Sequence, residues 1–447
     1  MKFSRSAVAV LVLAALSTQQ AYATNGMNLS GYGPEAHAMG GASMAYDNGT
    51  AALMNNPATL GLMEEGHRFD AAIGGLFPAI TAKNTTYGNT DSSATAFYMP
   101  AVGWANKSGQ ITYGVGMFSQ GGMGTEYGAT SFMAAGSNKP VRSEVGVGRI
   151  IVPLAYQADK FTVGGSIDYV WAGMDLQMAV PAGTSTTPGT LAQMYADGLL
   201  TASGAAAGSL ATFMGTSTNV GYFNFSDGSA FTGKAKGTGF AAKLGMTYKV
   251  SEQMTVGATY HSQTKLGDLT AGGASLDMIT AGGTNTMTGE VKVINFQWPE
   301  TYGFGMALQA SDKLMVVADY KRISWAKVMK NFHMSFTATG LVMDVTLPQN
   351  WKDQDVYELG AAYKLNDALT VRAGLNMANN PVPDAYMNAL FPAVAKTNVS
   401  GGFGYMLDKQ SSIDASFAYV PKTSAGSGAT KVDFGGSSAQ FLYSHRY

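Results

Sequence analysis

The sequence predicts an all-β membrane protein, a 14-stranded antiparallel up-and-down transmembrane β-barrel. Three observations point there. Hydrophobic residues make up 46% of the 447 residues but charged residues only 13%, about half the ~25% of a soluble domain. An export signal opens the chain, yet no later apolar run is long enough for a membrane helix. Apolar residues then recur at every second position, which gives a strand one apolar face.

The same composition closes off other classes. Disorder does not fit an aromatic content of 11% with a net charge of −1. The 28 basic residues face 29 acidic ones, so nothing neutralises a phosphate backbone and no nucleic-acid partner is expected. With no cysteine, disulfides and thiolate metal sites are excluded.

Along the chain, residues 1–23 are expected to be a signal peptide. Lys2 and Arg5 form its basic start, Ala7 to Leu16 its apolar run, and Ala21-Tyr22-Ala23 its cleavage site. Residues 24–66 precede the wall. Over 24–61 no period of two is sustained, and Glu35 and Asp47 are the only charged groups. Such a segment could not face lipid, because its backbone needs polar partners. Inside a polar lumen it would find them, and Asn56-Pro57-Ala58 should make a defined turn there. A tight linker into the first strand is the plainer alternative.

The wall is expected over 67–447. Phe161, Val163, Ile167, Tyr169 and Trp171 alternate with Thr162, Ser166 and Asp168. The same period runs through 254–260, 369–375 and 413–419. The polar face is rich in Gly, Ser and Thr, as suits a lumen. Short turns at 106–110, 158–160, 250–253, 310–312, 366–367 and 408–410 alternate with long connections near 81–93, 128–141, 179–232, 267–287, 338–351, 379–395 and 421–435. Fourteen strands with one short-turn rim give that alternation. Both ends of the wall then lie at that rim, which in bacterial barrels is the periplasmic side. The last strand ends on Phe441, Tyr443 and Tyr447, an aromatic ending of the kind the barrel-assembly machinery reads.

Two wall features invite function. Ile111 to Phe118 alternates cleanly and is then interrupted by Ser119-Gln120-Gly121-Gly122-Met123-Gly124. Glycine within a strand marks a bulge or bend, and a bend that breaks pairing would open the wall sideways. A glycine-rich strand end at the rim is the alternative. The 179–232 connection carries Leu191, Leu199, Leu200, Leu210, Phe213 and Met214, and the 267–287 connection Leu276, Met278 and Ile279. An apolar groove there would collect greasy solutes from water, unless these residues only pack the loops together.

At this point the chain resembles the FadL family of outer-membrane channels. The resemblance rests on Gly31-Tyr32-Gly33-Pro34-Glu35-Ala36, Met39-Gly40-Gly41-Ala42, Tyr46-Asp47 and Asn55-Asn56-Pro57-Ala58. It continues through 121–127, Trp298-Pro299-Glu300, Asp319 to Trp325, and Pro381-Val382-Pro383-Asp384. It implies a barrel plugged by its amino-terminal segment, with 24–66 as the hatch, and hydrophobic molecules leaving through a gap in the wall. It also places the wall kink at 119–124 and a first capture site in the outer loops.

By alternation Asp168, Lys243, Asp319, Lys321, Glu358, Arg372 and Asp414 point inward. Mixed in sign, they are expected to pair and hold the hatch. Lys321 or Arg372 would alternatively hold a substrate carboxylate. No Gly-x-Ser-x-Gly or His-Glu-x-x-His motif is present and the five histidines are scattered, so no enzyme, metal or cofactor is expected. The expected partners are a hydrophobic small molecule, outer-membrane lipid and lipopolysaccharide around a monomer, and the assembly machinery through Tyr447. The function read here is passive uptake of long-chain fatty acids or of aromatic or aliphatic hydrocarbons. The alternatives are a polar-solute porin and an outer-membrane lipase or esterase.

Overall fold

The structure, a computed structural model, describes residues 24–229 and 233–447. The signal peptide expected at 1–23 lies outside the described residues. From Gly66 onward most of the backbone forms long antiparallel strands. The wall pairs in turn through Gly66–Asn84, Phe97–Ser108, Ile111–Tyr127, Val141–Ala158, Phe161–Pro181, Ala235–Lys249 and Met254–His261. It continues through Thr301–Ser311, Leu314–Ile323, Gln354–Lys364, Leu369–Ala378, Thr397–Met406, Ser411–Ala425 and Thr430–Arg446. The last strand returns to the first, from Arg446 opposite Arg68 to Thr430 opposite Asn84, so the sheet closes into a barrel.

The expected fold needs correction. It assumed 14 strands joined in up-and-down order by loops. Among the described residues the antiparallel sheet instead holds 24 strands, and neighbours in it are not always neighbours in the chain. Met254–His261 pairs directly with Thr301–Ser311, and Leu314–Ile323 with Gln354–Lys364. The hairpins Leu269–Thr280/Gly283–Ile294 and Asn331–Ala338/Leu341–Pro348 rise between them and pair with each other. The 179–232 connection also holds helices Leu191–Ala196 and Ala207–Met214 and strands Leu200–Ser203 and Val220–Phe225. Alternation of side chains continues above the level where the bilayer would end. There the strands pair and pack on one another over an apolar core, and the pattern carries no mark of that boundary.

Around the wall, outward residues form an apolar belt: Val152 is 57% exposed, Leu154 60%, Ile167 67% and Leu244 65%. Inward positions carry Thr162, Ser166, Asp168 and Lys243, all buried. No helix among the described residues is long and apolar enough to cross a membrane. The wall's first and last residues meet at the short-turn rim, where His67 N–H donates to the Tyr447 carbonyl at 2.9 Å.

Candidate functional site

Residues 25–62 lie inside the barrel and are almost wholly buried. Short helical turns, Pro34–Ala38, Gly49–Leu53 and Pro57–Leu62, fold them into a plug. The wall leaves room through its glycines. A Cβ on Gly164 would stand 2.6 Å from the Pro57 carbonyl carbon, and one on Gly257 1.9 Å from the Met44 oxygen. Asn56 caps the Pro57–Leu62 turn: its Oδ1 accepts from Ala58 N–H at 3.1 Å, while its Nδ2 donates to the Met44 carbonyl at 2.8 Å. Asn56, Pro57 and Ala58 are therefore among the firmly held parts of the plug.

Wall charges hold the rest. Asp319 Oδ2 accepts from the N–H groups of Ser43 (2.6 Å) and Met44 (3.0 Å). Lys321 pairs with Glu358 at 2.9 Å and donates to the Gly41 carbonyl at 3.1 Å. Arg372 bridges Asp414 (2.7 Å) and the plug's Glu35 (3.3 Å). Asp168 pairs with Arg149 at 2.8 Å and with Lys243. Sequence reasoning passed over Asp70, which accepts from Thr50 N–H (2.9 Å), the Thr50 hydroxyl (2.8 Å) and Arg68 Nε (2.9 Å). Arg68 and Asp70 stand two apart on one strand face, the signal that would have found them. It also passed over His37, whose ring lies 2.9 Å from Ser416 Oγ and 2.7 Å from Ser438 Oγ. Burial keeps that imidazole neutral, with its pKa pushed down to about 4.

The Ser119–Gly124 segment lies where wall pairing breaks. Phe97–Ser108 and Ile111–Tyr127 pair from Ser108 opposite Ile111 to Ala101 opposite Phe118, and then separate. Ile111–Tyr127 keeps its other neighbour, with a register shift between Ser119 and Gly121 that makes a bulge. On the separated side a plug strap, Asn25–Leu29, takes the place of the missing strand. Gly121 bridges Asn28, and Gly122 N–H donates to the Met27 carbonyl at 3.1 Å. Tyr32 OH donates to the Gln120 carbonyl at 2.6 Å, and Arg149 holds the Gln120 side chain. Above, Ser93 N–H donates to the Glu126 carbonyl at 2.8 Å. Behind the seam lies about 500 Å³ of empty space lined by Leu29, Tyr32, Met99, Pro100, Phe118 and Ser119 among others.

At the opposite side from the short turns, an apolar cavity is lined without a charged side chain. Leu191, Leu200, Leu210 and Leu276 of the expected outer-loop set line it. Phe213, Met214 and Met278 are buried in the same apolar cluster and Leu199 packs against it, while Ile279 is only half-buried on its hairpin. The sequence reading missed Phe223, Met334, Phe336, Met343 and Val345, whose alternation on the unforeseen strands was their signal. A deeper, smaller cavity follows, lined by Met174, Phe296, Phe332 and Phe391, with Met27 of the strap among its walls. Beyond the strap lies a polar space of about 590 Å³ bordered by Asn25, Asn28, Arg149, Lys243, His261 and Lys321. Trp298 Nε1 donates to Asn28 Oδ1 at 2.6 Å and heads an edge-to-face run with Trp325 and Trp351.

Residues 10–441 match the family described as outer membrane protein transport protein (OMPP1/FadL/TodX). The toluene transporter TodX of Pseudomonas putida is similar in structure, with a TM-score of 0.84 at 30% identity over 94% of this chain and 99% of that one. The toluene transporter TbuX of Ralstonia pickettii gives 0.77 at 31% identity, over 94% and 99%. A Pseudomonas aeruginosa FadL homologue, 16% identical over 95% of this chain and 99% of that one with a TM-score of 0.69, shares the fold. Outer membrane protein P1 of Haemophilus influenzae is 28% identical over 184 residues, 41% of this chain and 38% of that protein. An uncharacterized Chlorobium limicola protein, from the phosphoenolpyruvate carboxykinase gene 5' region, is 53% identical over 93 residues, 21% of this chain and 44% of that one. The chain thus spans less than half the length of these two curated relatives.

Proposed function

The chain belongs to the family of outer membrane transport proteins that includes OMPP1, FadL and TodX, and from that premise we propose that it admits small hydrophobic molecules across a Gram-negative outer membrane by passive diffusion. The observation that carries this reading is the broken seam at Ser119–Gly124, where a strap of the plug that also walls the deep apolar cavity stands in for the missing wall strand. A solute gathered in the outer cavity would pass to the deeper one, displace Asn25–Leu29, and leave sideways between Pro100 and Ser119 into lipid. The shift is assigned to this strap rather than to Asn56–Ala58, because the latter is bonded into plug and wall alike. Transfer of apolar surface from water, about 0.8 kcal/mol per CH₂, would drive the process without a cofactor or chemical step.

Neither apolar cavity has a charged side chain among its lining residues. The wall cations Lys321 and Arg372 are already paired. Both facts favour a neutral hydrocarbon over a fatty acid carboxylate, in line with the toluene named for TodX and TbuX. In this reading the short-turn rim and both wall ends face the periplasm, the assembly machinery engages Tyr447, and the barrel works as a monomer. The test is uptake of labelled toluene and labelled long-chain fatty acid by cells with and without the gene. Faster toluene uptake with the gene is expected; unchanged uptake of both compounds would end the transport reading.

A further inference from the structure

We propose that the lipid-facing end of the seam joining the first and last wall strands is a binding site for the acidic, phosphorylated head of lipopolysaccharide. The site rests on the orientation proposed above, which puts the rim opposite the short turns in the outer leaflet. Lys83 and Lys431 are direct cross-strand partners. Both lie on the outward face, since Lys83 shares its strand parity with the exposed Phe69 and Ile73, and Lys431 with the exposed Phe441 and Tyr443. Like charges directly opposite each other destabilise a strand pair.

One carboxylate answers this charge. Asp433 Oδ2 pairs with Lys83 at 2.5 Å and with Lys422 at 2.7 Å, while its Oδ1 accepts from the Ser424 hydroxyl at 2.6 Å. Asp433 is thereby saturated and buried, whereas the Lys83 and Lys422 side chains remain 39% and 66% exposed. Lys431 is exposed as well. Asp91 lies one strand further along, beyond Thr81, whose hydroxyl donates to it at 2.6 Å. Because Lys83 faces Asn89, Asp91 is its diagonal neighbour, within a Debye length, which leaves three lysines against two carboxylates. The patch therefore carries more positive charge than its own carboxylates neutralise.

Its position selects the ligand. On the outward face of the first strand Lys83 stands four and six positions beyond Ala79 and Phe77, so a ligand there has acyl chains against these residues and anionic groups at the lysines. A basic cluster just beyond an apolar membrane surface recognises an anionic lipid head. In the outer leaflet that lipid is lipopolysaccharide.

The test uses the full chain purified in detergent and titrated with lipopolysaccharide or with phosphatidylglycerol, following the unfolding temperature of the barrel. Lipopolysaccharide should raise it and phosphatidylglycerol should do so less. Each of Lys83→Gln, Lys422→Gln and Lys431→Gln should weaken apparent lipopolysaccharide binding roughly fivefold, with hydrocarbon uptake unchanged. A triple variant that binds lipopolysaccharide like the parent, or equal stabilisation by both lipids, would overturn the site. Orientation is read separately by Lys431→Cys in this cysteine-free chain, using a membrane-impermeant maleimide on intact cells. Labelling supports the outward placement; its absence refutes the orientation and the site that rests on it.

Discussion

Replacing Asp70 by alanine should unseat the plug and make the barrel leak ions. Three donors converge on this carboxylate, two of them from Thr50 of the plug and one from Arg68. Asp70 is 2% exposed and Arg68 5%, so the substitution leaves a buried guanidinium without its nearest partner. Breaking a buried pair in this way costs about 3–5 kcal/mol. The closed wall does not unfold for that amount, so the cost falls on the contact between Gly49–Leu53 and the first strands. At about 1.4 kcal/mol per decade, the detached population should rise by roughly 10²- to 4 × 10³-fold. Thr50→Val removes one hydroxyl donor to that carboxylate, worth about 1.5 kcal/mol, and should raise it roughly tenfold. Planar-bilayer recordings read the detached state as open-channel events. The parent should be nearly silent, Thr50→Val slightly active and Asp70→Ala frequently open. Parent-like silence in Asp70→Ala, or equal leakage in both variants, would refute the view that wall charges seat the plug.

Other expectations follow from the same geometry. Pro100→Cys with Ser119→Cys should form a disulfide across the parted strands; oxidation should cut hydrocarbon uptake at least tenfold and reductant restore it, while undiminished uptake would rule out the sideways exit. Phe336→Asp places a carboxylate in the outer cavity and should raise the half-saturating hydrocarbon concentration about tenfold or more, measured by uptake at graded concentrations. Gly257→Val puts side-chain atoms where the Met44 carbonyl sits, so this barrel should assemble but conduct ions; a silent channel would contradict it. His37 is held neutral with a pKa near 4 against about 6.5 when free. Its depressed value means that seating is full above pH 6.5 and is lost as pH falls toward 4, by up to ~3 kcal/mol. Leakage should therefore appear on acidification and be blunted in His37→Gln, whereas an identical pH response in that variant would exclude His37 as its source.

Much of this molecule was legible in its side-chain pattern. The alternation at 161–171 describes the faces the strand presents, and the short turns fall between paired strands. What misled was strand number and order. Periodicity says that a segment is a strand but not which strand it joins, so the connections expected at 267–287 and 338–351 hide most of the two hairpins Leu269–Thr280/Gly283–Ile294 and Asn331–Ala338/Leu341–Pro348. The outer cavity was half legible: the leucines of 191–210 stood out as apolar in a connection, while Phe336 and Met343 were hidden in unforeseen hairpins. The Ser119–Gly124 interruption was visible because three glycines break an otherwise regular strand. Its partner was not, since the approach of Met27 and Asn28 is a long-range contact that no local pattern encodes.

That contact has a mechanical consequence. When Asn25–Leu29 swings away, the edge of Ser119–Gly124 loses the backbone partners that Met27 and Asn28 supply. An unsatisfied backbone group in a nonaqueous wall costs several kcal/mol. In the proposed exit route the strap would act as a spring whose restoring force is the unmet hydrogen bonding of the gap it uncovers. Each passage would load the spring and each departure release it, so the gate resets itself without fuel.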